Sequence, residues 1–240
     1  MERLSKVIAQ SGMSSRRGAE KLILDGKVRV DGQIIKELGT KVGEKAIVEV
    51  DGIKLEREEK VYYLLNKPRG VVSTVKDDKN RKTVVSLIKE SRRIYPVGRL
   101  DYDTTGAIIL TNDGEFANIL MHPKNKIEKV YIAKIKGILS ISQIMNLKKG
   151  VYIDGVKTAK AKVKVKKIDN KTNTSIVEIS IHEGRNHQVK RMFESVGVEV
   201  LKLKRERIAF LDLTGLKSKD YRKLNPKEVK QLYDLANNIK

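Results

Sequence analysis

Residues 159–166 alternate without a break: Ala159, Ala161, Val163 and Val165 fall in one phase, Lys160, Lys162, Lys164 and Lys166 in the other. Successive side chains of a strand point to opposite faces, so this segment requires a sheet with one dry face and one wet, basic face. Parallel sheets covered on both sides read as continuous apolar runs instead. Two such runs, Val61–Leu65 and Ala107–Leu110, do occur. They are mixed with helical patterns, but without the regular βαβ rhythm of a doubly wound fold. Residues 187–196 place Val189, Met192, Phe193 and Val196 on one helical stripe. A last helix begins with Asn225 as cap, Pro226 at its first position and Glu228 reaching back, and turns Val229, Leu232, Tyr233 and Ala236 inward. The fold class that follows is α+β, with a mixed, largely antiparallel sheet flanked by helices.

Charge restricts the partners. The 240 residues hold 51 Lys+Arg against 30 Asp+Glu, a net of +21. Residues 1–60 contribute 13 and 11 of these, and residues 61–240 contribute 38 and 19, so the later part alone carries +19. Such a surface suits a polyanion, because basic side chains displace counterions condensed on phosphates. A generally lysine-rich composition gives the same number with no partner at all. No apolar run of about 18 residues and no signal-peptide pattern appears, which argues against membrane spanning and secretion. The chain has no cysteine, so disulfides, thiolate zinc sites and cysteine nucleophiles are excluded, and the cytoplasm is the expected compartment.

The first 50 residues read as a small module. Leu4, Val7 and Ile8, then Ala19, Leu22 and Ile23, have helical spacing. Gly12 ends the first helix, Ser14 or Ser15 caps the second, and Gly26 stops it. Val28 and Val30 lead into an Asp31-Gly32 hairpin turn and Ile34-Ile35, and a strand over Ala46–Val50 closes the unit. Arg3-Leu4-Ser5-Lys6, Ser14-Ser15-Arg16-Arg17, the run from Gly26 to Gly32 and Val42-Gly43-Glu44-Lys45 together resemble the S-four RNA-binding domain. That resemblance implies phosphate contacts at the start of the second helix, where Arg16, Arg17 and Lys21 stand. Helix amides and the dipole favour anions there. Without the resemblance the same residues read as a solvated basic face. Residues 51–60 are polar and are expected to be a linker before a larger domain over 61–240.

The densest polar segment of that domain runs from Tyr95 through Gly98-Arg99-Leu100-Asp101-Tyr102-Asp103-Thr104-Thr105-Gly106 into the apolar run, then Thr111-Asn112-Asp113-Gly114. Polar residues between glycines and a buried strand describe a structured loop on a rigid scaffold. Taken alone, Asp-x-Asp-Thr is also ordinary Asx-turn chemistry. Three strings in order narrow the reading: Asn66-Lys67-Pro68-Arg69-Gly70-Val71-Val72-Ser73-Thr74, then Gly98-Arg99-Leu100-Asp101 continuing to Gly114, then Glu183-Gly184-Arg185-Asn186-His187-Gln188-Val189-Lys190-Arg191-Met192. They resemble the pseudouridine synthases of the RsuA/RluB/RluE/RluF family, which modify single uridines in bacterial ribosomal RNA. With the first module, the resemblance covers nearly the whole chain. Gly184-Arg185-Asn186 leans towards RluB-like members acting on large-subunit (23S) RNA, and His187-Gln188-Val189-Lys190-Arg191 is shared with RsuA-like members acting on the small-subunit (16S) RNA. Two departures are Ala107-Ile108-Ile109 where leucines are usual, and His187 where large-subunit members often carry arginine.

The resemblance implies roles. Asp101 is the nucleophile, or the base, that acts on the sugar while the carbon–nitrogen bond of uridine breaks; the two alternatives stay open. Arg185 pairs with Asp101 and orients it. Tyr131, on a strand over Val130–Ile135, stacks on the flipped uracil and assists at carbon five. Arg99 fills the gap that the nucleotide leaves. Lys67, Asn186, His187, Lys190 and Arg191 join Arg16, Arg17, Lys21 and Arg99 as RNA-binding candidates. Asp103 is a second carboxylate, read as supporting the loop. The lysine face of residues 159–166 fits either RNA phosphates or solvent. His182 and His187 lie one residue too far apart for the H-E-x-x-H zinc motif, and no Gly-rich phosphate loop or dinucleotide fingerprint occurs, so neither metal nor cofactor is expected. The expected partner is ribosomal RNA or a ribosomal subunit precursor, met by a monomer away from membranes. The rival readings are a non-catalytic ribosome assembly factor on the same fold and an RNA hydrolase using Asp101 and Asp103.

Overall fold

A computed structural model of the chain describes residues 1–237 and divides into two compact units. One comprises Met1–Val61 together with Glu90–Ile94 and Asn112–Gly114; the other takes the remaining residues.

In the first unit, helices α1 (Leu4–Gln10) and α2 (Arg16–Leu24) pack over a sheet of β1 (Val28–Val30), β2 (Gln33–Ile35), β3 (Val48–Val50) and β4 (Ile53–Lys54), in the order β2-β1-β3-β4. Leu4, Ile8, Ala19, Ile23, Val28, Val42, Val48 and Val50 form its core, so the helical triplets and the strand valines meet as their spacing requires. Ser15 caps α2, its side chain accepting from the Gly18 amide at 3.0 Å. The Asp31-Gly32 turn joins β1 to β2 with both residues at positive φ, 49° and 82°, the backbone of a type I′ hairpin.

The stretch expected as linker is not free chain. Asp51-Gly52 makes a second turn of the same kind, at φ 46° and 79°, and Ile53 pairs with Val50. Beyond it, Glu59 meets Arg92 at 3.0 Å, Lys60 meets Asp113 at 2.9 Å, and the Val61 amide donates to Asn112 Oδ1 at 2.9 Å. The polar composition of 51–60 reflects ion pairing and a hairpin, which composition does not distinguish from a solvated tether.

The second unit is built on one sheet. Its main strands are β5 (Tyr62–Lys67), β6 (Thr105–Thr111), β7 (Lys129–Lys136), β8 (Lys162–Asp169), β9 (Thr174–Ile181), β10 (Val200–Ile208) and β11 (Tyr221–Lys223), in the order β8-β9-β7-β10-β6-β5-β11. Only β6 and β10 run parallel along this path; the other neighbours are antiparallel. The central strands β5 and β6 are buried on both faces. Helices α3 (Gly114–Met121) and α6 (Pro226–Ala236) bring Phe116, Leu120 and Leu232 against Leu64, Ala107 and Ile109. Towards β8 the sheet opens: Ala161 and Val163 are buried while Lys160, Lys162, Lys164 and Lys166 are exposed, although the ladder starts at Lys162 and shifts register between Val165 and Lys167.

The end helices follow their sequence signals. Asn225 and Glu228 form the reciprocal capping box around Pro226. Helix α5 spans Gln188–Glu194 and buries Val189, Met192 and Phe193. It stops short of Val196, where the amides of Val196 and Val198 turn back to the Phe193 carbonyl and Gly197 takes φ 76°.

Candidate active site

A cavity of about 420 Å³ opens in the second unit, and Asp101, Tyr131, Arg185 and Arg205 are among the residues lining it. Its parts come from the loop before β6, the adjacent strands β7 and β10, and the start of α5.

The loop is held by two unlike devices. The Thr104 amide donates to the Asp101 carbonyl at 3.1 Å, and the Thr104 hydroxyl lies 3.5 Å from Asp101 Oδ2. Beneath it Lys67 is fully buried and donates from Nζ to the carbonyls of Thr104 (2.9 Å) and Pro68 (3.1 Å). Burial pushes the Lys67 ammonium down to about 8; the charges of Asp101 and Asp103 oppose the shift and Arg205 adds to it. Lys67 was expected to meet RNA, and that expectation fails: a side chain with no exposed surface cannot reach a phosphate. It fastens the loop that carries Asp101 instead.

Asp101 keeps part of its carboxylate open to the cavity. Two nitrogens lie within 4.0 Å of it, His187 Nε2 at 3.3 Å and Lys190 Nζ at 4.0 Å. Both come from the start of α5, His187 from the residue before its first turn and Lys190 from that turn. His187 caps that helix in the left-handed conformation, φ 51°. Lys190 also grips Asp103 through both oxygens at 2.6 and 2.7 Å, and this bond holds the Asp103 carboxyl below its ordinary range. The second carboxylate of the loop is thus a tether to α5.

Arg185 does not meet Asp101. Its guanidinium donates to the carbonyls of Val156 (3.0 Å) and Lys157 (2.9 Å) and lies 3.6 Å from Glu183. The expected pairing is therefore absent from this arrangement, and His187 and Lys190 take the place intended for it. Arg185 satisfies backbone acceptors of the 152–157 hairpin because its backbone is fixed by a separate contact, its amide donating to Gln188 Oε1 at 2.9 Å. Arg191 is bound to Asp154. Arg99 and Asn186 are exposed at the cavity rim. Arg16, Arg17 and Lys21 are exposed on α2, in the other unit, and make no ion pair among the described residues.

Tyr131 is 8% exposed on β7, inside the cavity. Two neighbours escaped the reading of the sequence. Lys129, two residues earlier on the same strand, also lines the cavity, and burial pushes its ammonium down to about 8, with Arg205 adding to the shift and Glu183 opposing it. Arg205 is 3% exposed on β10, directly opposite Tyr131 in the ladder. A partial signal for it existed: Leu203 and Arg205 share one phase and are both buried, although Leu201 in the same phase is exposed.

Residues 61–195 match the family model of RNA pseudouridylate synthases, and residues 2–48 match that of the S4 domain. The chain is 56% identical over 241 residues to the ribosomal large subunit pseudouridine synthase B of Bacillus subtilis (strain 168), covering 100% of this chain and 99% of that protein. It is 40% identical to an uncharacterized RNA pseudouridine synthase of Aquifex aeolicus, over 96% of this chain and 93% of that one. A crystal structure of a pseudouridylate synthase superposes with a TM-score of 0.68 at 29% identity, covering 97% of this chain and all of the other. The geometry of one acid in a lined cavity, the mixed sheet beneath it and these likenesses agree: the chain belongs to the RNA pseudouridylate synthase family and carries an S4 domain at its amino end.

Proposed function

We propose that this enzyme converts one uridine of large-subunit (23S) ribosomal RNA to pseudouridine, with Asp101 acting as nucleophile or base on the sugar of the flipped nucleotide. The observation that carries the assignment of Asp101 is its placement: a carboxylate at the cavity wall, flanked by His187 and Lys190 on a loop fastened from below by Lys67. A carboxylate held in fixed geometry beside a bound sugar, as nucleophile or as base, needs no reorganisation at the moment of reaction. Tyr131 offers a ring for the uracil to stack on, and Arg99 at the rim is placed to fill the vacated stack. The choice of large-subunit RNA rests on the 56% identity to a protein named for that activity. The S4 domain over about 1–50 and the +19 carried by residues 61–240 supply phosphate contacts that position the RNA. We place the enzyme in the cytoplasm as a monomer; no helix among the described residues is long and apolar enough to cross a membrane.

Mapping pseudouridines across ribosomal RNA from cells with and without the gene tests the reading. One large-subunit position loses its modification in the deletion strain, and wild type but not Asp101→Asn restores it. The variant binds RNA normally and isomerises at least about 10³-fold more slowly, as removal of an enzymatic nucleophile does. An unchanged map, or restoration by Asp101→Asn, leaves an RNA-binding assembly factor as the better reading.

A further inference from the structure

Arg205 lines the cavity and, among the described residues, carries an unmet donor. Its backbone pairs with Tyr131 on β7 and, in parallel register, with Gly106 on β6. Its Nε donates to the Ala107 carbonyl at 2.6 Å, and one terminal nitrogen, Nη1, reaches the Tyr131 hydroxyl at 3.4 Å. The guanidinium carbon lies 6.0 Å from the centre of the Tyr131 ring. The other terminal nitrogen, Nη2, is buried and has no hydrogen-bond partner. Buried polar groups are almost always satisfied, and an unpaired donor on a charged group is costly. A guanidinium in a cavity wall with two nitrogens bonded and the third unpaired keeps a donor that a ligand can satisfy.

The ligand is fixed by what enters beside Tyr131. A phosphate would have to be carried to the floor of the cavity, past exposed cations at its rim. A uracil stacked on Tyr131 instead brings a ring edge next to the guanidinium. When the bond between N1 and C1′ breaks, its electron pair stays on uracil N1 and spreads to the carbonyl oxygens O2 and O4. The new bond then forms from C5 to C1′, the hydrogen on C5 departs as a proton, and N1 takes one up, so the product is an isomer. Negative charge on the base thus exists only between the two bonds. Lys129, which lines the same wall, adds a second positive group there. We infer that Arg205 is a further catalytic residue, whose free Nη2–H binds a carbonyl oxygen of the detached uracil and stabilises its anion. Preorganised donors aimed at developing charge are worth about 10²–10³ in rate. The inference rests on the isomerase reading above and on the base entering beside Tyr131.

Single-turnover cleavage of the N1–C1′ bond is measured for wild type and Arg205→Gln on RNA carrying either uridine or 5-fluorouridine at the target. Fluorine makes the departing base a weaker base and so lessens its need for help. The expected result is a loss of about 10²–10³ on uridine, a clearly smaller loss on 5-fluorouridine, and unchanged RNA affinity, since phosphate contacts dominate affinity. Equal losses on both substrates, or no loss on uridine, overturn the inference, because a merely structural residue ignores the leaving group. If Arg205→Gln does not fold, a crystal structure of wild type with target RNA decides: Nη2 within about 3 Å of O2 or O4 supports it, and Nη2 on a phosphate or a protein carbonyl sinks it. Should wild type fail to convert uridine at all, the isomerase reading is at fault and not Arg205.

Discussion

Lys67 is among the largest fully buried side chains of the described residues, and its charge makes it a reporter of the active-site loop. The folded protein holds it at about 8 against an ordinary 10.5, chiefly through burial. Between those values the unfolded chain binds more protons than the folded one, so stability rises with pH across that window. Lys67→Met removes this contribution. Its gain in stability from pH 8 upward is smaller than the wild-type gain, with Lys129, shifted in the same direction, supplying the remainder. Urea unfolding midpoints below, within and above the window measure the difference; identical gains in the two proteins would contradict the placement of this ammonium. Its motif, Asn66-Lys67-Pro68, was visible in the sequence, but lysine is so rarely buried that exposure was the natural expectation. The carbonyl of the adjacent Pro68 and that of Thr104, which belongs to a separate stretch of chain, make burial tolerable.

At the scale of elements, the contact between β6 and β10 is the tightest constraint on the site. Gly106 has φ 107°, and a Cβ there would stand 2.1 Å from the Arg205 carbonyl oxygen. Gly106→Ala therefore costs about 3 kcal/mol or more, by clash and by backbone strain together. A calorimetric Tm well below wild type, with activity lost in step, is the expected outcome. At the other end of the chain, Asn225→Ala removes one cap of α6 and costs about 1 kcal/mol while leaving turnover unchanged, since α6 packs on the core and lines no part of the cavity. Both glycine and cap were marked in the sequence. The cap could be explained from four adjacent residues, whereas Gly106 could not, because its reason is a strand about 100 residues away.

Across the whole molecule the charge is organised rather than diffuse. Residues 1–60 are nearly balanced at +2, yet α2 exposes Arg16, Arg17 and Lys21. If each meets one phosphate, replacing all three by alanine lowers the salt dependence of RNA binding by about 2 in log–log slope. Filter-binding titrations over a range of salt check this. If that role holds, single-turnover isomerisation at saturating RNA stays unchanged, because phosphate contacts position a substrate and take no part in its bond changes.

What the sequence by itself determined was local in origin: strand and helix periods, the hairpin at Asp31-Gly32, the cap at Asn225, and the three ordered strings whose resemblance pointed to the family. Each depends on residues within a few positions of one another, where spacing and turn chemistry suffice. Which side chains meet Asp101 was decided only by the tertiary structure. Several cations near the motifs were candidates in the sequence, and ion pairs depend on distance in space, not on order along the chain. The start of helix α5 brings His187 and Lys190 to Asp101, the 152–157 hairpin binds Arg185, and β10 places Arg205 opposite Tyr131. The physical reason is that a guanidinium or ammonium binds whichever acceptor the packed backbone places within reach, and that acceptor is fixed by contacts the linear order does not contain.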